Sequence, residues 1–205
     1  LGKGGFGLVF QGKYKGADVA VKEPHDPEAL HEEEALKKSF FREAKNLYRL
    51  SHRNVVALVG GIVSDDCGDP CYMMVTELLP QSLQKEMEIL QELDGEERCK
   101  RQDRLMIELA EGLAYLHSAG IIHKDIKSQN VMVDTSGSPK YIDFGLCKQE
   151  QVTTSTASTR LAGTLYWMSP ERKRGGAASA KSDVYSLGLL LVYMLTMAKL
   201  PEGEE

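Results

Sequence analysis

Glycine at positions 2, 4 and 7 of Leu1-Gly2-Lys3-Gly4-Gly5-Phe6-Gly7, with an apolar run directly behind, is the feature that most restricts the fold. Residues without a Cβ let backbone N–H groups come close to phosphate oxygens. Dinucleotide-binding folds use the same spacing, but there the glycines open a helix. Here Leu8-Val9-Phe10 and then Val19-Ala20-Val21 read as strand. The pattern favours a glycine hairpin over phosphate groups. The strand after Gly7 excludes a dinucleotide-dependent oxidoreductase.

The rest of the chain divides by composition. Residues 1 to 21 read as strands around a turn, and Asp26 to Leu50 as a helix with an apolar stripe of Leu30, Leu36, Phe40, Phe41, Ala44, Leu47 and Leu50. Val55 to Val63 and Tyr72 to Glu77 read as two more strands around a turn-rich segment. Pro80 marks a break. Ser82 to Leu93 and Arg104 to Ser118 then read as helices, with short strands at Val131 to Asp134 and Lys140 to Ile142. Gln149 to Arg160 is polar and rich in Ser and Thr, and Asp183 to Met197 is an apolar helix expected to be buried. This predicts an α+β chain with a strand-rich unit over 1–79 and a helical unit over 80–205. With 205 residues, 42% of them hydrophobic, two small lobes can each hold a core.

Composition excludes some functions. A net charge of −5 argues against a dedicated nucleic-acid binder. No apolar run reaches the roughly 18 residues of a membrane-spanning helix. Cys67, Cys71, Cys99 and Cys147 lack the partners of a zinc set and are expected to be free thiols in a reducing compartment.

The chemistry is concentrated in Ile122-His123-Lys124-Asp125-Ile126-Lys127-Ser128-Gln129-Asn130 and, further on, Asp143-Phe144-Gly145. Asp125 can accept the proton of a substrate hydroxyl, and Lys127 can offset charge on a transferring phosphate. Asn130 and Asp143 offer oxygens to Mg2+, a hard cation that prefers them. These strings resemble the catalytic loop and Asp-Phe-Gly motif of protein kinases, with Lys124 where Arg is usual. Ala162-Gly163-Thr164-Leu165-Tyr166-Trp167-Met168-Ser169-Pro170-Glu171 is similar to the end of a kinase activation segment, with Ser169 for the usual Ala. The resemblance runs from Leu1 to about Leu195, with the motifs in the family's order.

That resemblance implies a bilobal kinase-like fold, a small antiparallel-sheet lobe and a helical large lobe, here incomplete because the chain stops before the last helices. It implies ATP and Mg2+ as cofactors. Leu1, Gly2, Gly4, Gly7, Val9 and Ala20 would cover the nucleotide, with Leu8 as a further apolar wall. Lys22, ending Val19-Ala20-Val21-Lys22, would pair with phosphates and be locked by a glutamate. Glu43 is the expected partner, with Glu32, Glu33 and Glu34 as rivals. Thr76 would stand behind the adenine, and backbone groups of Glu77 and Leu79 would meet its edge. Asp183 would accept hydrogen bonds from the catalytic-loop backbone, and His123 would be structural. Lys127 and Thr164 resemble the serine/threonine type, and the motif wording is similar to the tyrosine-kinase-like group.

The expected activity is transfer of the γ-phosphate of ATP to Ser or Thr of proteins, in a cytoplasmic protein or the cytoplasmic portion of a larger one. The alternative is a non-catalytic pseudokinase or scaffold fragment that binds nucleotide. An upstream kinase acting on residues 149–160 is a further expected partner. Lys124 lacks the bidentate fork of Arg, so loop phosphates are expected to activate weakly.

Overall fold

The computed structural model describes residues 2–4, 7–24, 33–145, 148–149 and 164–196. Its first part is an antiparallel five-stranded sheet of β1 (Gly2–Gly4), β2 (Gly7–Tyr14), β3 (Ala17–Pro24), β4 (Leu58–Ser64) and β5 (Pro70–Glu77), in the order β1-β2-β3-β5-β4. Gly2 pairs with Val9 and Gly4 with Gly7, so the glycine segment is a hairpin, as its following strand predicts. The helix α1 (Glu33–Tyr48) packs on the sheet through Phe40 and Leu47.

The second part is mostly helical. It holds β6 (Gln81–Ser82), α2 (Leu83–Gln91), α3 (Gly95–Ser118), β7 (Ile121–Ile122), β8 (Val131–Val133), β9 (Pro139–Tyr141), β10 (Lys148–Gln149), α4 (Thr164–Trp167), α5 (Pro170–Lys173) and α6 (Ala180–Thr196). Strands β6-β8-β9 form one small sheet and β10-β7 another. A single apolar core runs through both parts, from Phe40 and Met74 through Leu83, Leu109 and Tyr141 to Leu190 and Met194.

Several boundaries differ from the sequence expectation. α3 starts nine residues before Arg104, at Gly95, because the Asp94 side chain caps it by accepting from the N–H groups of Glu96 and Glu97. Its first turns are polar and carry no apolar stripe. Val55 and Val56 lie outside β4; Val55 bridges Tyr141, and the Val56 N–H donates to the Tyr141 carbonyl. They join the sheet to the helical part instead of extending the strand. Phe41 is 48% exposed although it belongs to the predicted stripe. Neighbouring helical residues are about 100° apart, so with Phe40 buried on the sheet Phe41 stands at the edge of the stripe, where its ring meets only the margin of the sheet at Tyr72, centroids 6.3 Å apart. The α6 helix is buried along Leu187, Leu190 and Met194 but exposes Val184, Val192 and Leu195. Of the expected 26–50 helix and the polar 149–160 loop, residues 26–32 and 150–160 lie outside the described residues.

Close packing fixes α3 under the site. A Cβ on Gly112 would stand 2.9 Å from the Cβ of Asn54 and 3.1 Å from the Tyr141 ring, so only glycine permits this approach. The Tyr141 hydroxyl donates to the Leu109 carbonyl at 3.0 Å, and burial pushes its pKa far up, so the phenol stays neutral.

Candidate active site

Lys22 lies on β3, opposite Val9 on β2 and Met74 on β5. Its Nζ is 2.8 Å from Glu43 Oε1 on α1 and 3.0 Å from Asp143 Oδ1. The structure thus pairs Lys22 with Glu43, the expected partner; of the rivals, Glu34 is exposed and pairs with Lys38. Burial works against the Lys22 charge, but the carboxylates of Asp143 and Glu43 outweigh it and hold its pKa above the usual 10.5. Burial raises the pKa of Glu43, and the neighbouring Asp143 adds to the rise while Lys22 opposes it. One ammonium therefore serves two carboxylates.

The second cluster is local. Asp125 is buried. Its Oδ2 accepts from Asn130 Nδ2 at 2.8 Å and lies 3.1 Å from Lys127 Nζ. Asn130 Nδ2 also donates to the Asp125 carbonyl at 2.7 Å. The other carboxylate oxygen, Oδ1, is buried with no hydrogen-bond partner among the described residues. An orphaned acceptor of this kind costs roughly 1–3 kcal/mol, more for a charged group. It calls for a donor beyond the described residues.

Backbone strain surrounds both clusters. Lys124 has φ 72° and Asp143 φ 66°, left-handed values that cost a non-glycine residue energy. Asp183 on α6 holds the first of these, as expected: its Oδ2 and Oδ1 accept from the N–H groups of His123 and Lys124, each at 2.8 Å. His117 on α3 braces the same carboxylate, Nε2 to Oδ2 at 3.1 Å. The His123 ring is buried, with Nε2 3.1 Å from the Ile142 carbonyl, which fits a structural part. Phe144 is fully buried beside the His123 ring.

The residues expected at the adenine sit where β5 leaves the sheet. Ala20 and Thr76 are cross-strand partners, and Thr76 Oγ1 donates to the Glu77 carbonyl at 3.3 Å. The Glu77 carboxylate accepts from the Ala57 N–H at 2.8 Å and pairs with Lys140 at 3.0 Å, which ties this segment to β9. Leu79 lies outside any strand, and among the described residues its N–H and C=O have no hydrogen-bond partner. Leu1, Gly5 and Phe6 lie outside the described residues.

The oxygen donors fit a phosphate-bound cation. Asp143 spends Oδ1 on Lys22 and the Gly145 N–H, which leaves Oδ2. The Asn130 amide nitrogen is committed to Asp125, which leaves its carbonyl oxygen. Among the described residues no three His, Cys, Asp or Glu side chains form a cage. One carboxylate with one amide is a donor set suited to a hard cation that takes its remaining ligands from phosphates and water.

Sequence reasoning found most of these groups from their motifs. It missed His117 and Lys140, whose partners lie 66 and 63 residues away along the chain. No local pattern marks such pairs.

The model of the protein kinase domain matches residues 1–205. The chain belongs to the protein kinase family. Among its relatives is the proline-rich receptor-like protein kinase PERK2 of Arabidopsis thaliana, 36% identical over 202 residues, covering 96% of this chain and 26% of that protein. The receptor-like serine/threonine-protein kinase ALE2 of the same plant is 35% identical over 214 residues, covering 100% of this chain and 27% of that protein. The probable serine/threonine-protein kinase SIS8, also from Arabidopsis thaliana, is 34% identical over 200 residues, covering 96% of this chain and 18% of that protein. The chain thus spans less than a third of the length of these relatives. Membership of this family implies ATP and a divalent metal in general. Among the described residues no helix is long and apolar enough to cross a membrane.

Proposed function

We propose that this kinase domain transfers the γ-phosphate of ATP to Ser and Thr hydroxyls of proteins, and that it belongs to the tyrosine-kinase-like group. The observation that carries the reading is the buried Asp125 Oδ1 with no partner among the described residues, beside Lys127 and Asn130. That oxygen accepts the hydrogen of the substrate hydroxyl and orients it for attack. Lys127 stabilises charge on the transferring group. Lys22, locked by Glu43, holds phosphate oxygens, while the backbone of Gly2, Gly4 and Gly7 covers them from the sheet side. Val9, Ala20 and Thr76 line the adenine, and Glu77 and Leu79 meet its edge through backbone groups. Asn130 and Asp143 hold the metal, which we take to be Mg2+; when bound, it offsets negative charge on the phosphates.

In this reading residues 1–79 and 80–205 are the two lobes, with the nucleotide between them. Lys22, Asp125, Asn130 and Asp143 are all present, which disfavours the pseudokinase alternative. The names of ALE2 and SIS8 support serine/threonine specificity. The free thiols of Cys67, Cys71 and Cys99 support a cytoplasmic protein or the cytoplasmic portion of a larger one. An upstream kinase acting on the Ser- and Thr-rich 149–160 segment is the regulator this reading expects. The test is transfer of labelled phosphate from ATP to matched peptides carrying Ser, Thr or Tyr. Label on Ser and Thr supports the proposal; label on Tyr alone, or on none, refutes it.

A further inference from the structure

Arg42 and Glu43 are consecutive on α1, and both side chains reach the Asp143-Phe144-Gly145 segment about a hundred residues further on. Glu43 Oε1 accepts the Phe144 N–H at 3.3 Å. Arg42 Nη2 donates to the Gly145 carbonyl at 3.1 Å. Gly145 lies so close to this helix that a Cβ on it would stand 3.3 Å from Glu43 Oε2 and 3.4 Å from Asp143 Oδ1. The two bonds therefore bracket one peptide turn, one on the N–H of its first residue and one on the carbonyl of its second.

The turn needs such a grip. Asp143, directly before it, holds a left-handed backbone at φ 66°, a strain of order 1–3 kcal/mol that surrounding contacts must sustain. Lys22 fixes the Asp143 side chain but not the backbone that follows. Among the described residues the Arg42 guanidinium pairs with no carboxylate, and the Gly145 carbonyl is its partner. A guanidinium on a carbonyl makes a charge-assisted bond, stronger than a neutral one.

We infer that Arg42 is a positioning residue: by holding the Gly145 carbonyl, it sets the turn that presents Asp143 and couples the placement of α1 to it. The inference deepens the proposed function, because it takes Asp143 as a metal-holding residue. Arg42 itself touches neither nucleotide nor substrate. Its effect reaches the chemistry through the angle at which Asp143 offers Oδ2.

The test compares Arg42→Ala, Arg42→Lys and a control, Lys38→Ala, whose ammonium is exposed and pairs with Glu34. Two readouts are taken: amide hydrogen exchange at Phe144 and Gly145, and steady-state phosphate transfer with the thermal midpoint alongside. In Arg42→Ala, exchange at both amides rises and turnover falls about fivefold, the worth of about 1 kcal/mol. The peptide KM and the thermal midpoint stay at wild-type values, Arg42→Lys recovers part of the loss, and Lys38→Ala changes nothing. Unchanged exchange in Arg42→Ala overturns the inference. So does a turnover loss that follows a fall in thermal midpoint without rescue by Lys. Exchange requires no activity, so a chain that fails to transfer phosphate refutes the proposed function while the amides still decide the part played by Arg42.

Discussion

The two charged clusters of this kinase domain are built in opposite ways. Lys22, Glu43 and Asp143 come from β3, α1 and the segment after β9, with separations of 21 and 121 residues between bonded partners. Asp125, Lys127 and Asn130 lie within six consecutive positions, and Asn130 bonds Asp125 across five residues. The first cluster exists only when sheet and helical part are packed together. The second is formed by one loop and held from outside by Asp183. They also differ in saturation. In the first, both carboxylates share the Lys22 ammonium. In the second, one carboxylate oxygen has no hydrogen-bond partner among the described residues. The contrast suggests a division of labour: the assembled cluster grips the charged nucleotide, and the local loop keeps an open acceptor for chemistry.

Breaking the local cluster has the largest expected effect. Asp125→Asn lowers turnover about 10²- to 10⁴-fold, the usual worth of a positioned base, with no loss of thermal stability. Phosphate-transfer kinetics and a melting curve check both halves. Turnover equal to wild type removes Asp125 from the chemistry.

Lys22→Met comes next. It costs on the order of 10² in turnover, and, unlike Asp125→Asn, it also destabilises the fold by about 3 kcal/mol, because Glu43 and Asp143 lose their shared partner. Denaturant titration measures the second effect. If stability is untouched, the carboxylates are not relying on Lys22. Glu43→Gln, which keeps the shape of the pair but not its charge, lowers turnover about tenfold by weakening one oriented contact. Glu33→Gln leaves it unchanged; the reverse pattern moves the partner to Glu33.

Asp183→Ala sharpens the comparison from the other side. It strips the loop of acceptors for the His123 and Lys124 N–H groups and destabilises the chain by about 3 kcal/mol. Lys124 then loses what holds its strained backbone, so turnover falls while the Lys22 cluster stays paired. A melting midpoint equal to wild type contradicts this anchoring.

The smallest effect is on pH dependence. The folded pKa of Lys22 lies above 10.5, so its contribution to stability is full below 10.5 and is lost as pH rises through the folded value. Lys22→Met flattens that alkaline limb. Glu108 gives the opposite case. Burial pushes its pKa up, but hydrogen bonds from Arg104, Ser138 and Asn54 outweigh this and hold it below 4.5. Its contribution is present above 4.5 and is lost as pH falls through the folded value, so Glu108→Gln flattens the acid limb of a stability–pH curve. Limbs that keep their slopes in these variants refute the assignments.

The same contrast explains what was legible in the sequence. The local cluster could be read directly, because its order along the chain is also its order in space. The glycine hairpin was readable for the same reason: the strand after Gly7 is local information. The Lys22–Glu43 pair is only partly legible, because the sequence offers Glu43 alongside the acids at 32 to 34 and packing decides between them. His117 on Asp183 and Lys140 on Glu77 left no trace in any pattern, since each joins elements whose contact is made only by the folded core. The early start of α3 was hidden because polar turns held by the Asp94 cap carry no apolar period.

The division of labour is tested most directly by measuring ATP binding and phosphate transfer on the same samples of wild type, Asp125→Asn and Lys22→Met, with Mg2+ present. The account predicts that Asp125→Asn keeps the wild-type thermal shift with ATP while transfer to a Ser- or Thr-containing protein falls at least a hundredfold. Lys22→Met loses part of the shift as well as the transfer. An Asp125→Asn protein that transfers phosphate at the wild-type rate, or one that loses ATP binding while Lys22→Met retains it, contradicts the account.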